Sequence, residues 1–267
     1  MSKLIEVLSG QGPVVLGMPH TGTHIPANVW DNLNDNGRAL ADTDWNIHRL
    51  YAGLLDGATT VRTSIHRYVI DVNRAPNGAS LYPGQNTTGL CPITDFDGQP
   101  IYRSGREPAP EEIAQRCSQY HAPYHAALKT ELARVQAIHG VAVLFDCHSI
   151  RSHVPFLFNG KLSDFNIGTN DSTTCSPAIE SAVQTVCEQA PGYSTVLNGR
   201  FKGGWTTRHY GHPEHNVHVI QMELAQSTYM TESPPWEYDE RRAAPLREHL
   251  KTILQSLNEL ARQGALT

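Results

Sequence analysis

The chain has no apolar stretch long enough to cross a bilayer. Its longest strongly apolar run, VAVLF at 141–145, is far below the roughly 20 residues of a spanning helix. The opening residues, MSKLIEVLSGQGP, lack the long apolar core of a secretory signal, so a cytoplasmic location is the default expectation. Cysteines are few: Cys91, Cys117, Cys147, Cys175 and Cys187, with no C-x-x-C pair. An odd, scattered set argues against a disulfide scaffold or a cysteine zinc knuckle. There is no G-x-S-x-G elbow and no Walker loop, and Gly203-Gly204 is too short to cradle a phosphate. Positive charge is also short, with 21 Lys+Arg against 26 Asp+Glu and a net charge of −5. Nucleic-acid binding needs a basic face, so neither a nucleic acid nor a membrane is an expected partner. A small anionic substrate remains compatible, because a few local arginines can hold one.

Internal repeats and low-complexity linkers are absent, and glycine and proline are spread throughout. The 267 residues suit one α/β domain spanning 1–267. A chain of this size buries roughly three quarters of its unfolded surface and needs no staples.

What the chain has in excess is histidine, 14 in all. Histidine is the commonest metal ligand and titrates nearest neutral pH, so the positions matter. Val14–Met18 reads as a buried strand ending at Pro19-His20. Thr59–Ile65 and Tyr68–Val72 read as two more strands. Residues 75–109, rich in Pro, Gly, Asn and Thr, read as a long ordered loop and as the first candidate to close over a substrate. A helix is expected from Pro110 to about His139, with Ile113, Cys117, Tyr120, Tyr124, Leu128, Leu132 and Val135 at a 3.6 period. Pro123 should kink it and Gly140 should stop it. Val141–Phe145 is a second apolar strand, running into Asp146-Cys147-His148. Ser176–Gln189 reads as a helix, Val217–Met222 as a strand ending at Glu223, and Tyr238–Gln263 as a long amphipathic helix. Apolar strands alternating with helices imply a mostly parallel sheet covered on both faces, with ligands beyond the carboxyl ends of the strands.

Three strand candidates thus end in chemistry: His20, the Asp146/His148 pair, and Glu223. Parallel neighbours would bring them to one edge. A catalytic zinc takes three His or carboxylate ligands and keeps a place for water. His20 and His148 supply two, and Asp42 or Asp44, in ALADTDWNIHRLY, the third; helix capping alone would also explain an aspartate there. Glu223 fits a general base and acid. In HAPYH, His121 and His125 share a helix face, but Ala122 stands where a zinc protease needs glutamate, so locally hydrogen-bonded or solvated imidazoles are expected. His209, His212, His215 and His218 form a looser group, with His209 expected near substrate. RYVIDVNR holds Arg67, Asp71, Asn73 and Arg74, and GGWTTRHYG holds Arg208. Arginine forks suit carboxylates. Cys147 should point away from His148 into the core, because neighbours on a strand face opposite ways.

The motifs PHTGTHIP (19–26), DTDWNIHRLY (42–51), RYVIDVNRAP (67–76), PYH (123–125), FDCHSI (145–150), GGWTTRHYG (203–211) and QMELAQSTYM (221–230) occur in order along nearly the whole chain. Together they resemble the N-formylglutamate amidohydrolase family. The resemblance implies a three-layer α/β/α fold of the zinc-carboxypeptidase (phosphorylase/hydrolase-like) type with a mostly parallel mixed sheet. It implies hydrolysis of N-formyl-L-glutamate to L-glutamate and formate, the last step of a histidine-degradation route. It further implies His20, Asp44 and His148 as ligands of Zn2+ or another divalent transition metal, and Glu223 with Arg74 as catalytic residues. Arg67, Asn73, Arg74, Arg208 and His209 are implied substrate contacts. Thr21 stands where the family usually has serine, and His24 is an extra imidazole beside the expected site.

Overall fold

The computed structural model describes residues 4–80, 84–264 and 266. Among these, seven strands form one sheet: β1 (Ile5–Leu8), β2 (Val14–Met18), β3 (Thr59–Thr63), β4 (Ala142–Ile150), β5 (Phe165–Gly168), β6 (Thr195–Leu197) and β7 (Val217–Ala225). Their spatial order is β1-β3-β2-β4-β7-β5-β6. The run β3, β2, β4, β7 is parallel. Strand β1 lies antiparallel to β3, β5 antiparallel to β7, and β6 parallel to β5. The helices are α1 (Ala27–Trp30), α2 (Asp35–Arg38), α3 (Ile47–Tyr51), α4 (Pro110–Arg116), α5 (Ala122–His139), α6 (Pro177–Glu188), α7 (Trp205–Tyr210) and α8 (Glu240–Arg262). None is long and apolar enough to cross a membrane.

Strands β2 and β4 are buried along their whole length. Helices cover both faces of the sheet, so these strands read as continuous apolar runs and do not alternate. The pleat still decides which layer each side chain meets. Val15, Leu144 and Val219 pack with Leu128, Leu132 and Val135 of α5. Val14, Leu16, Phe145, Cys147 and Met222 pack on the other face with Ile179 and Val183 of α6 and Leu246, Leu250 and Ile253 of α8. The result is three layers, α/β/α. Ser176 caps α6 by accepting from the Ile179 N–H, and Asp239 caps α8 by accepting from the Arg241 and Arg242 N–H groups, which satisfies donors at each helix start.

Several sequence expectations need correction. The strand expected at Tyr68–Val72 is a buried series of turns, in which the Val69 N–H bonds the His66 carbonyl and the Arg74 N–H bonds the Asp71 carbonyl. A short apolar run does not distinguish the two. The strand expected to reach Ile65 ends at Thr63, and Ile65 makes only an isolated bridge to His24. The single helix expected over 110–139 is α4 and α5 joined by a π turn at Cys117–His121. Pro123 has no N–H to offer the Gln119 carbonyl, and the wider turn just before it absorbs the mismatch. The described part of 75–109 carries isolated bridges but no helix or strand; residues 81–83 lie outside the described residues.

Candidate active site

Register builds the site. In the β4–β7 ladder His148 pairs with Glu223 and Asp146 with Gln221, while Gly17 of β2 pairs with Asp146. The pleat turns Asp146, His148, Gln221 and Glu223 toward the α5 and α7 side, and Cys147 into the opposite core. His20 follows two residues after β2, and its carbonyl accepts from the Asp44 N–H at 3.0 Å. That bond delivers Asp44 from the loop before α3.

His20, Asp44 and His148 are all buried and form a group able to hold a metal ion. The two Nδ1 atoms lie 3.2 Å apart. Asp44 Oδ2 is 3.1 Å from that of His148 and 3.6 Å from that of His20. Tetrahedral zinc, with bonds of about 2.0–2.1 Å, spaces its donor atoms about 3.4 Å apart, so the triangle has the right size. The far sides of both rings are engaged. His20 Nε2 donates to Asp71 Oδ1 at 2.7 Å, and His148 Nε2 lies 3.2 Å from Asp146 Oδ1 and from Asn73 Nδ2. With their protons on Nε2, both imidazoles aim Nδ1 electron pairs at one point. This is how carboxylates orient metal-binding histidines.

Asp42 and Asp44 separate cleanly. Arg67 donates to Asp44 Oδ1 at 2.8 Å. Burial alone would raise the Asp44 pKa, but Arg67 and the two imidazoles outweigh it and hold the carboxylate well below its usual range. Asp42 instead accepts from the Tyr68 hydroxyl and the Phe96 N–H, each at 2.8 Å. Burial pushes its pKa up to about 6. It anchors the 75–109 loop and lies outside the triad. Asp71 is held well below its usual range: burial opposes this, but Arg74, His20 and Arg67 prevail. Glu223 is pushed up to about 8, chiefly by burial and against the pull of His148 and Arg67. A carboxyl poised near neutrality can both take and give a proton.

His20 and His148 of the triad line one solvent-open cavity with Glu223, and Asp44 is not among its lining residues. His20, His148, Glu223, Arg67, Asn73 and Arg74 all reach it, together with Arg200. Asn73 sits under the start of α7, its Oδ1 accepting from the Thr206 N–H at 2.8 Å. Gly204 makes that approach possible, since a Cβ there would lie 2.3 Å from Asn73 Nδ2. Arg208 and His209 are not among the lining residues. Arg208 Nε turns back to the Gly203 carbonyl, and His209 stacks on Trp205 at 4.2 Å. His24 is exposed on another groove. His121 and His125 are buried props: their Nε2 atoms donate to the Arg74 and Val72 carbonyls at 2.9 and 2.7 Å, fixing the backbone that carries Asp71, Asn73 and Arg74. The orienting role of Asp71 and the presence of Arg200, Thr88 and Phe96 in the lining were not read from sequence. A carboxylate inside the apolar run YVIDV was the available signal for Asp71.

The sequence matches the family described as N-formylglutamate amidohydrolase over residues 12–230. It is 47% identical over 258 residues to an N-formylglutamate deformylase of Pseudomonas aeruginosa, covering 96% of this chain and 97% of the relative. It is 46% identical over 258 residues to one of Pseudomonas putida, covering 96% of each chain. In structure it superposes with a TM-score of 0.82 on an N-formylglutamate amidohydrolase from Ralstonia eutropha JMP134, at 24% identity and with 97% and 99% of the two chains covered. A gene product from Agrobacterium tumefaciens superposes with a TM-score of 0.73 at 18% identity, with 97% and 96% covered. At those identities the structural likeness speaks for the fold.

Proposed function

Because the chain belongs to the N-formylglutamate amidohydrolase family, we propose that it hydrolyses N-formyl-L-glutamate to L-glutamate and formate, the closing step of a histidine-degradation route. The observation that carries this is a buried group of two imidazoles and one aspartate, of which His20 and His148 share one cavity with Glu223. His20, Asp44 and His148 would hold a divalent metal, and two nitrogens with one carboxylate oxygen suit zinc. When bound, the metal supplies Lewis acidity, which polarises a carbonyl and acidifies water.

The chain's own groups then divide the work. Glu223, one carboxyl of raised pKa, takes a proton from the attacking water and delivers it to the departing amide nitrogen. Arg67 stands near both Asp44 and Glu223 and offers fixed positive charge to the oxygen that becomes an oxyanion. Arg74, held by the Thr88 and Asn73 carbonyls, faces the cavity as a carboxylate contact. Asp71 and Asp146 keep the two imidazoles turned.

The test measures formate release from N-formyl-L-glutamate by zinc-loaded protein. Wild type should turn over, and Glu223→Gln should lose about 10²- to 10⁴-fold in kcat with its metal content intact. An unchanged rate in a normally metallated variant would remove Glu223 from the chemistry.

A further inference from the structure

We propose that Gln221 on β7 is a substrate contact whose side-chain N–H donates to the α-carboxylate of the N-formyl amino acid; this rests on the deformylase function above. Gln221 lines the cavity with Glu223, yet it is only 3% exposed. Its Oε1 accepts from the Gly204 N–H at 2.8 Å. A backbone N–H can only donate, so that bond fixes which end of the amide is which. The end left over is the NH2 group, with two donors. Among the described residues none accepts a hydrogen bond from it. A nearly buried donor that opens onto a cavity is how a site fixes the orientation of its ligand.

The backbone that holds this amide is itself wedged in place. A Cβ on Gly168 would lie 2.6 Å from the Gly203 nitrogen, and one on Gly204 would lie 2.3 Å from Asn73 Nδ2. Gly168 is the β5 partner of Gln221. Residues 203–204 thus press onto the sheet beside Gln221, and the Gly204 N–H keeps its amide turned. Spacing selects the oxygen that meets the free end. Glu223 follows two residues along the same face of β7, so the two Cα atoms lie about 6.6 Å apart, and the two side chains are equal in length. Glu223 serves the scissile nitrogen. An α-carboxylate oxygen is three bonds from that nitrogen, about 3 Å away, and a hydrogen bond of about 3 Å at each end spans the gap between Glu223 and Gln221. The oxygens of the glutamate side chain are five bonds from the nitrogen and lie farther out.

The experiment measures formate release from N-formyl-L-glutamate, its α-amide and its γ-amide by zinc-loaded wild type, Gln221→Glu and Gln221→Met. Gln221→Glu keeps an acceptor for the Gly204 N–H but replaces the donor with an anion. Its preference for N-formyl-L-glutamate over the α-amide, taken as the ratio of kcat/KM, should shrink about 10- to 100-fold, the worth of a charge-assisted hydrogen bond. The preference over the γ-amide should stay as in wild type. Any effect of the new carboxylate on Glu223 falls on all three substrates and cancels in these ratios. Gln221→Met removes the donor without adding charge and should shrink the same preference by a smaller factor. Circular dichroism and metal content establish that each variant is folded and loaded. Equal losses on all three substrates would reduce Gln221 to a tie for residues 203–204. A shrunken preference over the γ-amide alone would move the contact to the side-chain carboxylate and overturn the assignment. Wild type that releases no formate from any of the three would overturn the deformylase function itself, whereas active wild type with both preferences unchanged in both variants overturns this inference alone.

Discussion

Two imidazole nitrogens facing each other at 3.2 Å, with their far nitrogens already engaged, must share a proton or a metal ion between them. The second rank of residues is what forces that posture. Asp71 is fully buried, anionic, and bonded to His20 Nε2 at 2.7 Å. Asp71→Asn keeps the shape but can present an N–H to the ring, which favours the wrong tautomer. Metal affinity should fall about 10- to 100-fold, read by competition against a chelating dye, with far-UV circular dichroism unchanged. Wild-type affinity in that variant would show that the His20 ring is oriented by something else.

At the scale of elements, histidines that bind nothing do structural work. His66 Nε2 donates to Thr43 Oγ1 and its Nδ1 accepts the Tyr68 N–H, so there is no room for a second ring proton. Burial lowers the pKa of His66, and likewise of His125 on α5, to about 3. In the unfolded chain each takes up a proton near 6.5. Their contribution to stability is therefore complete above about pH 6.5 and is lost as pH falls toward 3. The slope is about 1.4 kcal/mol per pH unit for each histidine. Urea unfolding of wild type and His66→Gln between pH 7 and 4.5 should show the gap between them narrowing by that slope; a gap independent of pH would mean His66 is not neutral in the fold. The cores of β2, β4 and β7 were legible in the sequence because burial on two faces writes unbroken apolar runs, but β4 and β7 continue through His148 and Glu223 to Ile150 and Ala225, past the ends expected where the apolar runs stop. Strands β5 and β6, four and three residues long, are too short to show a period. Asp42 and Asp44 share one loop and differ only in distant neighbours, Tyr68 and Phe96 against Arg67 and His20. Arg208 reads as a substrate contact in GGWTTRHYG, but α7 turns it back on Gly203. Arg200 sits in NGRFKGG with no pattern to mark it.

At the scale of the whole molecule, no disulfide joins the five cysteines. Burial pushes Cys91 up to about 11 and Cys175 and Cys187 to about 12, so thiolate is scarce at neutral pH. Brief alkylation should leave formate release intact, while a chelator should abolish it and zinc restore it. The reverse pattern would indicate a cysteine hydrolase. Because only the folded chain assembles His20, Asp44 and His148, metal at 100 times its Kd adds about 2.7 kcal/mol, and chelation should lower Tm by about 5–10 °C. One detail of the ladder reaches further. His148 and Glu223 are lateral partners across β4 and β7, so their separation is inherited from the repeat of the sheet, about 4.8 Å, and owes nothing to any loop. Thr88 and Arg200, which also line the cavity, belong to segments outside that lattice. A scaffold so divided can be rewritten in those segments while the spacing of His148 and Glu223 stays as the sheet sets it.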